Sequence, residues 1–367
     1  MTEVITAVYE VSGDDPEARA AGAAVEQSHE LPTALAPASA LVSLARVVSV
    51  ERSAGGPARA TIAYPVELAG AELTQLLVVL LGNISLQDGL RLVDLDVPAS
   101  LPAAWTRPHP AVAGIRRLVG APTRPLLATA LKPVGLSPEG LAAQAYAFAA
   151  GGIDIIKDDQ GLANQVWAPF RERVAAVTDA VARANAEHGT SARYLPAVSG
   201  PGALFEERLR FARERGADGA LVLPGISGYD RICVAREVFG ADGILYAHPS
   251  FLGGFTAAGS HGIAPDVLFG LISRLAGADA AIFPSYGGRF SLTRVECERI
   301  AAASSRPFAG LAPVLPSPGG GMTVARADEL VGVYGRDVLL LIGADLHRDG
   351  ALRENTERFR ETAERLG

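Results

Sequence analysis

The chain contains two lysines, Lys132 and Lys157, and arginine supplies every other strong positive charge. Each lysine directly follows an apolar segment, 126–131 and 153–156 respectively. An arginine stays protonated, whereas a lysine amine can lose a proton or act as a nucleophile. In so arginine-rich a chain, retention of lysine at these two places indicates chemistry that needs an amine. Proton abstraction next to a carbonyl is the reaction that suits it.

Other reactive or flexible residues also follow apolar segments. His248 follows 244–247, and Arg289 follows 280–283 within PSYGGRF. Glycines at the ends of the last two apolar segments could bind a phosphate through backbone N–H groups, namely Gly319, Gly320, Gly321 and Gly343. Taken singly, a histidine, a Lys-Asp-Asp triplet or a glycine run is as often structural as functional. Their shared position after strands favours one active site.

The apolar segments belong to a repeated unit of strand, polar loop and amphipathic helix that begins near residue 126. Eight strands are predicted, at 126–131, 153–156, 194–198, 220–223, 244–247, 280–283, 311–315 and 338–342. Near-continuous apolar strands are typical of a parallel sheet buried on both faces. Eight units in about 240 residues predict an α/β fold, a (β/α)₈ TIM barrel, whose active site lies at the carboxyl ends of the strands. A doubly wound sheet is the alternative, but the dinucleotide fingerprint is missing.

The first 110 residues have a different texture and predict a small α+β, ferredoxin-like N-terminal domain. Its predicted strands are 6–11, 41–50, 58–66 and 90–97, and its predicted helices are 16–29 and 70–81. Residues 111–125 are predicted to be a linker, and 126–367 the barrel domain that carries the catalysis.

Composition excludes several kinds of partner. The net charge of −7 argues against a nucleic-acid surface. The longest apolar run is far shorter than the ~20 residues that cross a membrane, and the N-terminus does not resemble a signal peptide, so we expect a cytoplasmic protein without membrane contact. Cys233 and Cys297 stand alone and are expected to be structural.

The sequence resembles the RuBisCO large-chain family, and specifically its form IV, the RuBisCO-like proteins. Six segments carry the resemblance, in order along nearly the whole chain: GAAVEQS at 22–28, GNISLQDGLRLVDLDVP at 82–98, ALKPVGLSPEG at 130–140, GGIDIIKDDQ at 151–160, HGIAPDVLFGLISRLAG at 261–277 and FPSYGGRF at 283–290.

The resemblance implies roles for the matched residues. Lys132 would be the proton-transferring base and acid, and His248 would contact substrate hydroxyls or transfer protons. Lys157, once carbamylated, and Asp159 would hold Mg²⁺. Arg289 matches a substrate-contacting loop lysine.

The remaining matched residues would contact the phosphate or a second subunit. His261 would lie near a phosphate, and the glycines 320, 321 and 343 would bind one. Asn83, together with Glu26, would complete the site of a neighbouring chain. The resemblance therefore implies a homodimer with shared active sites.

Departures from the carboxylases limit the reaction. Gln160 stands where they have a third metal ligand, a glutamate, and a neutral amide oxygen holds Mg²⁺ more weakly. Val134 replaces a second lysine of the Lys-Pro-Lys element, and Arg289 replaces the loop lysine that assists CO₂ addition. Pro249 removes an arginine that anchors a phosphate. Carboxylation is expected to be lost, while enolisation beside a carbonyl is retained.

The leading functional hypothesis is enolisation or isomerisation of a phosphorylated ketose such as 5-methylthioribulose 1-phosphate, in methionine salvage. Two related activities are alternatives: a 2,3-diketo-5-methylthiopentyl-1-phosphate enolase and a sugar-acid phosphate decarboxylase. A different class of function is a non-catalytic relative that binds a sugar phosphate or regulates a partner. Gln160 favours that last reading and the two lysines oppose it.

Overall fold

The computed structural model describes residues 3–290 and 292–367, and within them the strands form three sheets. The strands are β1 (Val4–Val11), β2 (Arg46–Glu51), β3 (Ala58–Pro65), β4 (Leu90–Asp96), β5 (Leu126–Leu131), β6 (Ile155–Asp158), β7 (Arg193–Leu195), β8 (Ala197–Val198), β9 (Gly219–Val222), β10 (Ile244–Ala247), β11 (Gly262–Ile263), β12 (Ala280–Pro284), β13 (Leu315–Gly319) and β14 (Leu339–Leu341). The longer helices are Pro16–Ser28, Leu73–Leu81, Ala111–Val119, Pro138–Ala150, Phe170–His188, Ala203–Glu214, Asp230–Phe239, Asp266–Ile272 continued by Ser273–Leu275, Arg294–Ser305, Ala327–Tyr334 and Leu352–Arg365.

The N-terminal sheet is mainly antiparallel, with strand order β11-β4-β1-β3-β2. Alternate residues of β1 are buried, as expected of a strand with one face on a core. The helix Pro16–Ser28 packs against this sheet and begins at Asp15, whose side chain accepts a hydrogen bond from the Ala18 N–H at 3.0 Å. The edge strand β11 comes from the later part of the chain and pairs in parallel with β4. This pairing, which the sequence did not predict, ties the N-terminal sheet to the barrel.

The other two sheets are parallel, with orders β14-β5-β6-β7 and β13-β12-β10-β9-β8, and together they form the barrel. Prolines explain why the ring of backbone hydrogen bonds is split in two. Pro196 separates β7 from β8. In β13, Leu315 donates its N–H to Asp279 at 2.9 Å, so Pro316 and Pro318 face β14 and have no N–H to donate. The Ser317 hydroxyl bridges this gap by donating to the Leu339 carbonyl at 2.8 Å. The predicted TIM-barrel fold class is confirmed.

Two barrel strands lie further along the chain than the sequence predicted. The seventh barrel strand is 315–319 and not 311–315, because the Arg274 guanidinium captures the carbonyls of Leu311 and Ala312 at 2.7 and 3.0 Å and holds them in a loop. The second barrel strand is 155–158 and not 153–156. Asp154 precedes it and forms a buried ion pair with Arg124 at 2.6 Å. Lys157 therefore lies within the strand.

Helices cover the outside of the barrel, and none of those in the described ranges is long and apolar enough to cross a membrane. Cys233 and Cys297 are both free and lie in helices. The helix Ala111–Val119 occupies most of the segment predicted as a linker.

Candidate active site

A cavity of about 750 Å³ opens at the carboxyl ends of the barrel strands. Residues from six strand ends line it, among them Lys132, Lys157, Asp159, Gln160, His248, Arg289, Gly319, Gly320, Gly321 and Gly343. The predicted convergence of reactive side chains on one barrel mouth is therefore what the structure shows. The volume suits a small-molecule substrate.

Lys132 lies at the end of β5 and forms an ion pair with Asp159, and both side chains line the cavity. Its backbone is fixed by Gln144, whose side chain accepts a hydrogen bond from the Lys132 N–H at 3.1 Å and donates one to the Lys132 carbonyl. The side chain is about one-third exposed, at 34%. The Lys132 amine can therefore reach a substrate while its backbone stays in place.

Lys157 is buried on the floor of the same cavity, where its amine donates to the Asp158 carbonyl at 3.1 Å. The pKa of Lys157 is lowered to about 8, mainly by burial and in part by the nearby Lys132, whereas Asp159 and Asp158 oppose the shift. A share of the Lys157 amine is therefore uncharged near neutral pH, which is the form that reacts with CO₂.

Asp158 lies between Lys157 and Asp159 in the chain, but its side chain points away from the cavity, because successive side chains of a strand face opposite sides. Its carboxylate accepts hydrogen bonds from Arg173 Nε at 3.1 Å, from the Tyr194 hydroxyl at 2.8 Å and from the Ala197 N–H at 3.0 Å. All of these groups are buried. Asp158 thus fixes the end of β6 and aims Lys157 and Asp159 into the cavity. Sequence reasoning treated the triplet as one unit and missed this division of roles.

His248 follows β10 and lines the cavity close to both amines. Burial, and then the charges of Lys157 and Lys132, hold the pKa of His248 well below its ordinary value. Its imidazole is therefore neutral at physiological pH.

The glycines of the β13 and β14 ends form one wall of the cavity. Gly320 and Gly321 have φ angles of +87° and +105°, a region that side chains other than glycine rarely adopt. Within the described residues, the N–H groups of Gly320, Gly321 and Gly343 have no backbone acceptor. Free N–H groups gathered in this way make an anion site. A Cβ on Gly343 would also lie 3.4 Å from Lys132 Cε, so this glycine leaves room for the lysine.

The loop after β12 folds over that wall. The Arg289 N–H donates to the Gly320 carbonyl at 2.8 Å, and the Ser285 N–H donates to the Gly319 carbonyl at 3.0 Å. The Tyr286 hydroxyl donates to Glu329 at 2.6 Å, outside the cavity. These contacts hold Arg289 and the neighbouring loop residues at the cavity mouth.

Apolar side chains also line the cavity, and sequence reasoning did not single them out. They are Phe251, Phe269, Ile282, Phe290, Met322 and Leu341. Pro249, in the same loop as Phe251, also lines the cavity. Phe290 lies against Gly320, and Ile282 and Leu341 lie against Gly319. The cavity therefore offers apolar contacts as well as N–H groups suited to an anion. Aromatic residues in the loops after β10 and β12 were the available signal.

Two of the predicted substrate-binding residues do not line this cavity within one chain. Asn83 is exposed on the N-terminal domain, where its amide donates to Glu26 at 2.8 Å. His261 precedes β11, with Nδ1 3.5 Å from Asp88. Their functional roles stay predictions.

The residues at the end of β6 are the candidates for holding Mg²⁺ in this cavity. No group of three or more His, Cys, Asp or Glu side chains occurs in residues 3–290 and 292–367 that could hold a metal. Asp158 is committed to Arg173 and Tyr194. Carbamylation of Lys157 would add carbamate oxygens next to Asp159 and Gln160, and all three residues line one side of the cavity. Oxygen donors of this kind fit Mg²⁺, which usually keeps several waters besides one or two carboxylates.

Gly320→Ala should raise the KM for a phosphorylated substrate by about tenfold or more. A Cβ there would lie 2.7 Å from Phe290 Cδ2 and would push the loop after β12 away from the wall. The matched control is Gly335→Ala, because Gly335 also has a positive φ, +78°, but its Cβ would meet nothing within 4 Å. Both changes add backbone strain of about 1–2 kcal/mol. Steady-state kinetics on both variants would show whether the raised KM is specific to Gly320; equal KM values would contradict the assignment of this wall.

Sequence comparison places the chain among known proteins. The family model described as the ribulose bisphosphate carboxylase large chain, catalytic domain, matches residues 111–351. Ribulose bisphosphate carboxylase-like protein 1 from Rhodopseudomonas palustris is 40% identical over 98% of this chain and 97% of its own length. The 5-methylthioribulose-1-phosphate isomerase of Rhodospirillum rubrum is 42% identical over 94% of this chain and 92% of its own length.

Structural comparison gives the same result. The crystal structure of a Rubisco-like protein from Rhodopseudomonas palustris superimposes with a TM-score of 0.89 at 38% identity, covering 100% of this chain and 99% of that one. The Rubisco-like protein MtnW from Alicyclobacillus acidocaldarius superimposes with a TM-score of 0.87 at 30% identity, covering 100% and 94%. The chain belongs to the RuBisCO large-chain family, within its RuBisCO-like proteins.

Proposed function

We propose that this chain isomerises a phosphorylated ketose with an apolar far end, such as 5-methylthioribulose 1-phosphate, by moving a proton next to the carbonyl. The observation that carries the proposal is the polarity of the cavity. Two amines and one imidazole line one cavity together with apolar side chains and with glycines whose N–H groups have no backbone acceptor among the described residues. The relative named as 5-methylthioribulose-1-phosphate isomerase, at 42% identity, supports the choice of substrate.

In the proposed reaction the glycine wall binds the phosphate and thereby sets the position of the carbonyl. As an uncharged amine, Lys132 takes a proton from the carbon beside the carbonyl, which leaves an enediolate, and returns the proton to the neighbouring carbon that carried the carbonyl. Arg289 lies at the mouth and helps to hold the anionic end. Arg289 and Ser285, which are bonded to the Gly320 and Gly319 carbonyls, help to shield the bound substrate from water, which protects the enediolate and strengthens the charged contacts.

Mg²⁺ is the cofactor that this site would take, held by carbamylated Lys157, Asp159 and the Gln160 amide oxygen. When bound, it would polarise the carbonyl and stabilise negative charge on oxygen. With one amide in place of a carboxylate, we expect weaker binding than in the carboxylases. Asp159 also pairs with Lys132, so this carboxylate is shared between the base and the cofactor.

A second copy of the chain is the proposed partner, in a head-to-tail homodimer with shared active sites. Asn83 and Glu26 are joined to each other on the surface, away from their own cavity. Exposed apolar residues lie on both faces that such a dimer would join. Leu86, close to Asn83, is 87% exposed, and Phe251, at the cavity rim, is 77% exposed. Burial of both on association would stabilise the dimer.

A substrate panel tests the proposed function. The purified protein, with Mg²⁺ and bicarbonate, would be given 5-methylthioribulose 1-phosphate, ribulose 1-phosphate, ribulose 1,5-bisphosphate and 2,3-diketo-5-methylthiopentyl 1-phosphate, and the products would be followed by NMR. We expect turnover of the methylthio monophosphate and none of the bisphosphate, because the loop after β10 contributes Pro249 and Phe251 to the cavity and no cation for a second phosphate. Preference for the bisphosphate, or binding of the panel without turnover, would contradict the proposal.

A further inference from the structure

His248 is held by the residue two positions further along the chain. The Ser250 N–H donates to His248 Nδ1 at 3.1 Å, and the Ser250 Oγ lies 2.9 Å from the same nitrogen. A backbone N–H can only donate, so Nδ1 must present its lone pair. The proton of the neutral ring is therefore on Nε2.

The other ring nitrogen faces a different environment. Within residues 3–290 and 292–367, Nε2 has no hydrogen-bond partner, and His248 lines the cavity that also contains Lys132 and Lys157. Family resemblance leaves two roles open for this histidine, contact with substrate oxygen or proton transfer. A ring with Nδ1 occupied and Nε2–H free can donate to an oxygen, but cannot accept a proton at Nδ1 without losing the bond from the Ser250 N–H.

We propose that Ser250 fixes His248 as a neutral hydrogen-bond donor, whose Nε2–H stabilises the negative oxygen that forms when Lys132 removes the carbon-bound proton. This inference rests on the proposed function for the identity of the oxygen, but not for the state of the ring. His248 is a catalytic residue in this assignment and Ser250 is a positioning residue. His248 and Ser250 both lie in the loop after β10 and line the cavity, so a substrate oxygen in the cavity can approach Nε2.

The charges around the ring agree with this assignment. Lys157 and Lys132 both oppose a positive charge on His248, and burial opposes it further. A neutral donor also suits the reaction, because it places a fixed dipole where negative charge develops on the substrate oxygen and needs no proton movement. Removal of one such donor from an oxyanion site typically lowers kcat by about 10²- to 10³-fold.

The state of the ring can be measured without any substrate. The full-length protein labelled with ¹⁵N-histidine would be studied by NMR, and the His248 signals identified by their loss in His248→Gln. We expect an unprotonated Nδ1 and a protonated Nε2 throughout about pH 5.5 to 8, the range in which an ordinary histidine titrates. In Ser250→Ala the Oγ contact is lost, and we expect the two tautomers to begin to exchange. A proton on Nδ1, or an imidazolium within that range, would overturn the inference.

The role of the donor is tested by two variants in the substrate assay. Glutamine can place an N–H close to the position of Nε2 but cannot exchange protons like an imidazole. His248→Gln should therefore keep a kcat about tenfold above that of His248→Ala, with similar KM values for both. Equal kcat values for the two variants would overturn the donor role. If wild-type protein turned over no phosphorylated ketose, the proposed function would fail while the ring-state measurement stood by itself.

Discussion

Lys132→Arg should reduce exchange of the substrate's α-proton with solvent deuterium by roughly 10²- to 10⁴-fold, the usual contribution of a general base. The guanidinium keeps the positive charge, and with it the ion pair to Asp159, but it cannot take up a proton. Exchange would be followed by NMR of 5-methylthioribulose 1-phosphate in D₂O. The KM should change much less than kcat, because the phosphate wall lies on β13 and β14.

A matched control separates loss of the base from loss of structure. Arg289→Lys exchanges the same two residue types in the same cavity, yet Arg289 is assigned to binding and not to proton transfer. We expect that variant to alter KM and retain most of the exchange rate. The melting temperatures of both variants should lie close to that of the wild type. Undiminished exchange in Lys132→Arg would remove Lys132 as the base.

Two inactive variants, Lys132→Arg and Asn83→Ala, should recover activity when their subunits are mixed. If Asn83 completes the neighbour's site, a mixed dimer has one site with both defects and one with neither. Random exchange makes half of the dimers mixed, so about a quarter of the wild-type activity is expected from a two-fold assembly with shared sites. Neither variant alone should exceed background.

Controls for subunit mixing decide what a negative result means. Exchange would be verified by native mass spectrometry with one variant isotopically labelled, and both variants would be checked for dimer formation. Leu86→Asp, which places a charge on the exposed apolar surface beside Asn83, should shift the protein towards monomer and lower the activity. Verified mixed dimers without recovered activity would contradict shared sites.

The sequence was sufficient to predict the barrel and the convergence of the lysines. Each strand is a short apolar run, and the rule that parallel strands end at one rim places the residues that follow them together. Lys132, Lys157, Asp159, His248 and the glycines all line the cavity for this reason. What could be predicted depended on local pattern and on strand order alone.

Features that depend on contacts between distant side chains were not predictable. The loop at Leu311 reads as a strand, and only Arg274, from a helix well before it, captures its carbonyls. Asp158 has the same residue type as Asp159, and its commitment to Tyr194 becomes visible only when β6 and β7 are paired.

Two features of the cavity were also not predicted from the sequence. The apolar side chains of the cavity come from two strands, three loops and one helix, so no single segment of the sequence indicates them. The contact between Ser250 and His248 depends on one side-chain conformation. Sequence pattern carries no information on this contact, and the aromatic residues of the loops after β10 and β12 were the available signal for the apolar lining.

Deuterium incorporation by the wild-type protein is the most direct test of the account. The enzyme would be incubated in D₂O with 5-methylthioribulose 1-phosphate, and the carbon-bound protons beside the carbonyl would be followed by NMR together with the product. We expect deuterium at that carbon and an isomer that keeps the phosphate. A substrate recovered with all its carbon-bound protons, in protein shown to bind it, would contradict proton transfer as the reaction of this cavity.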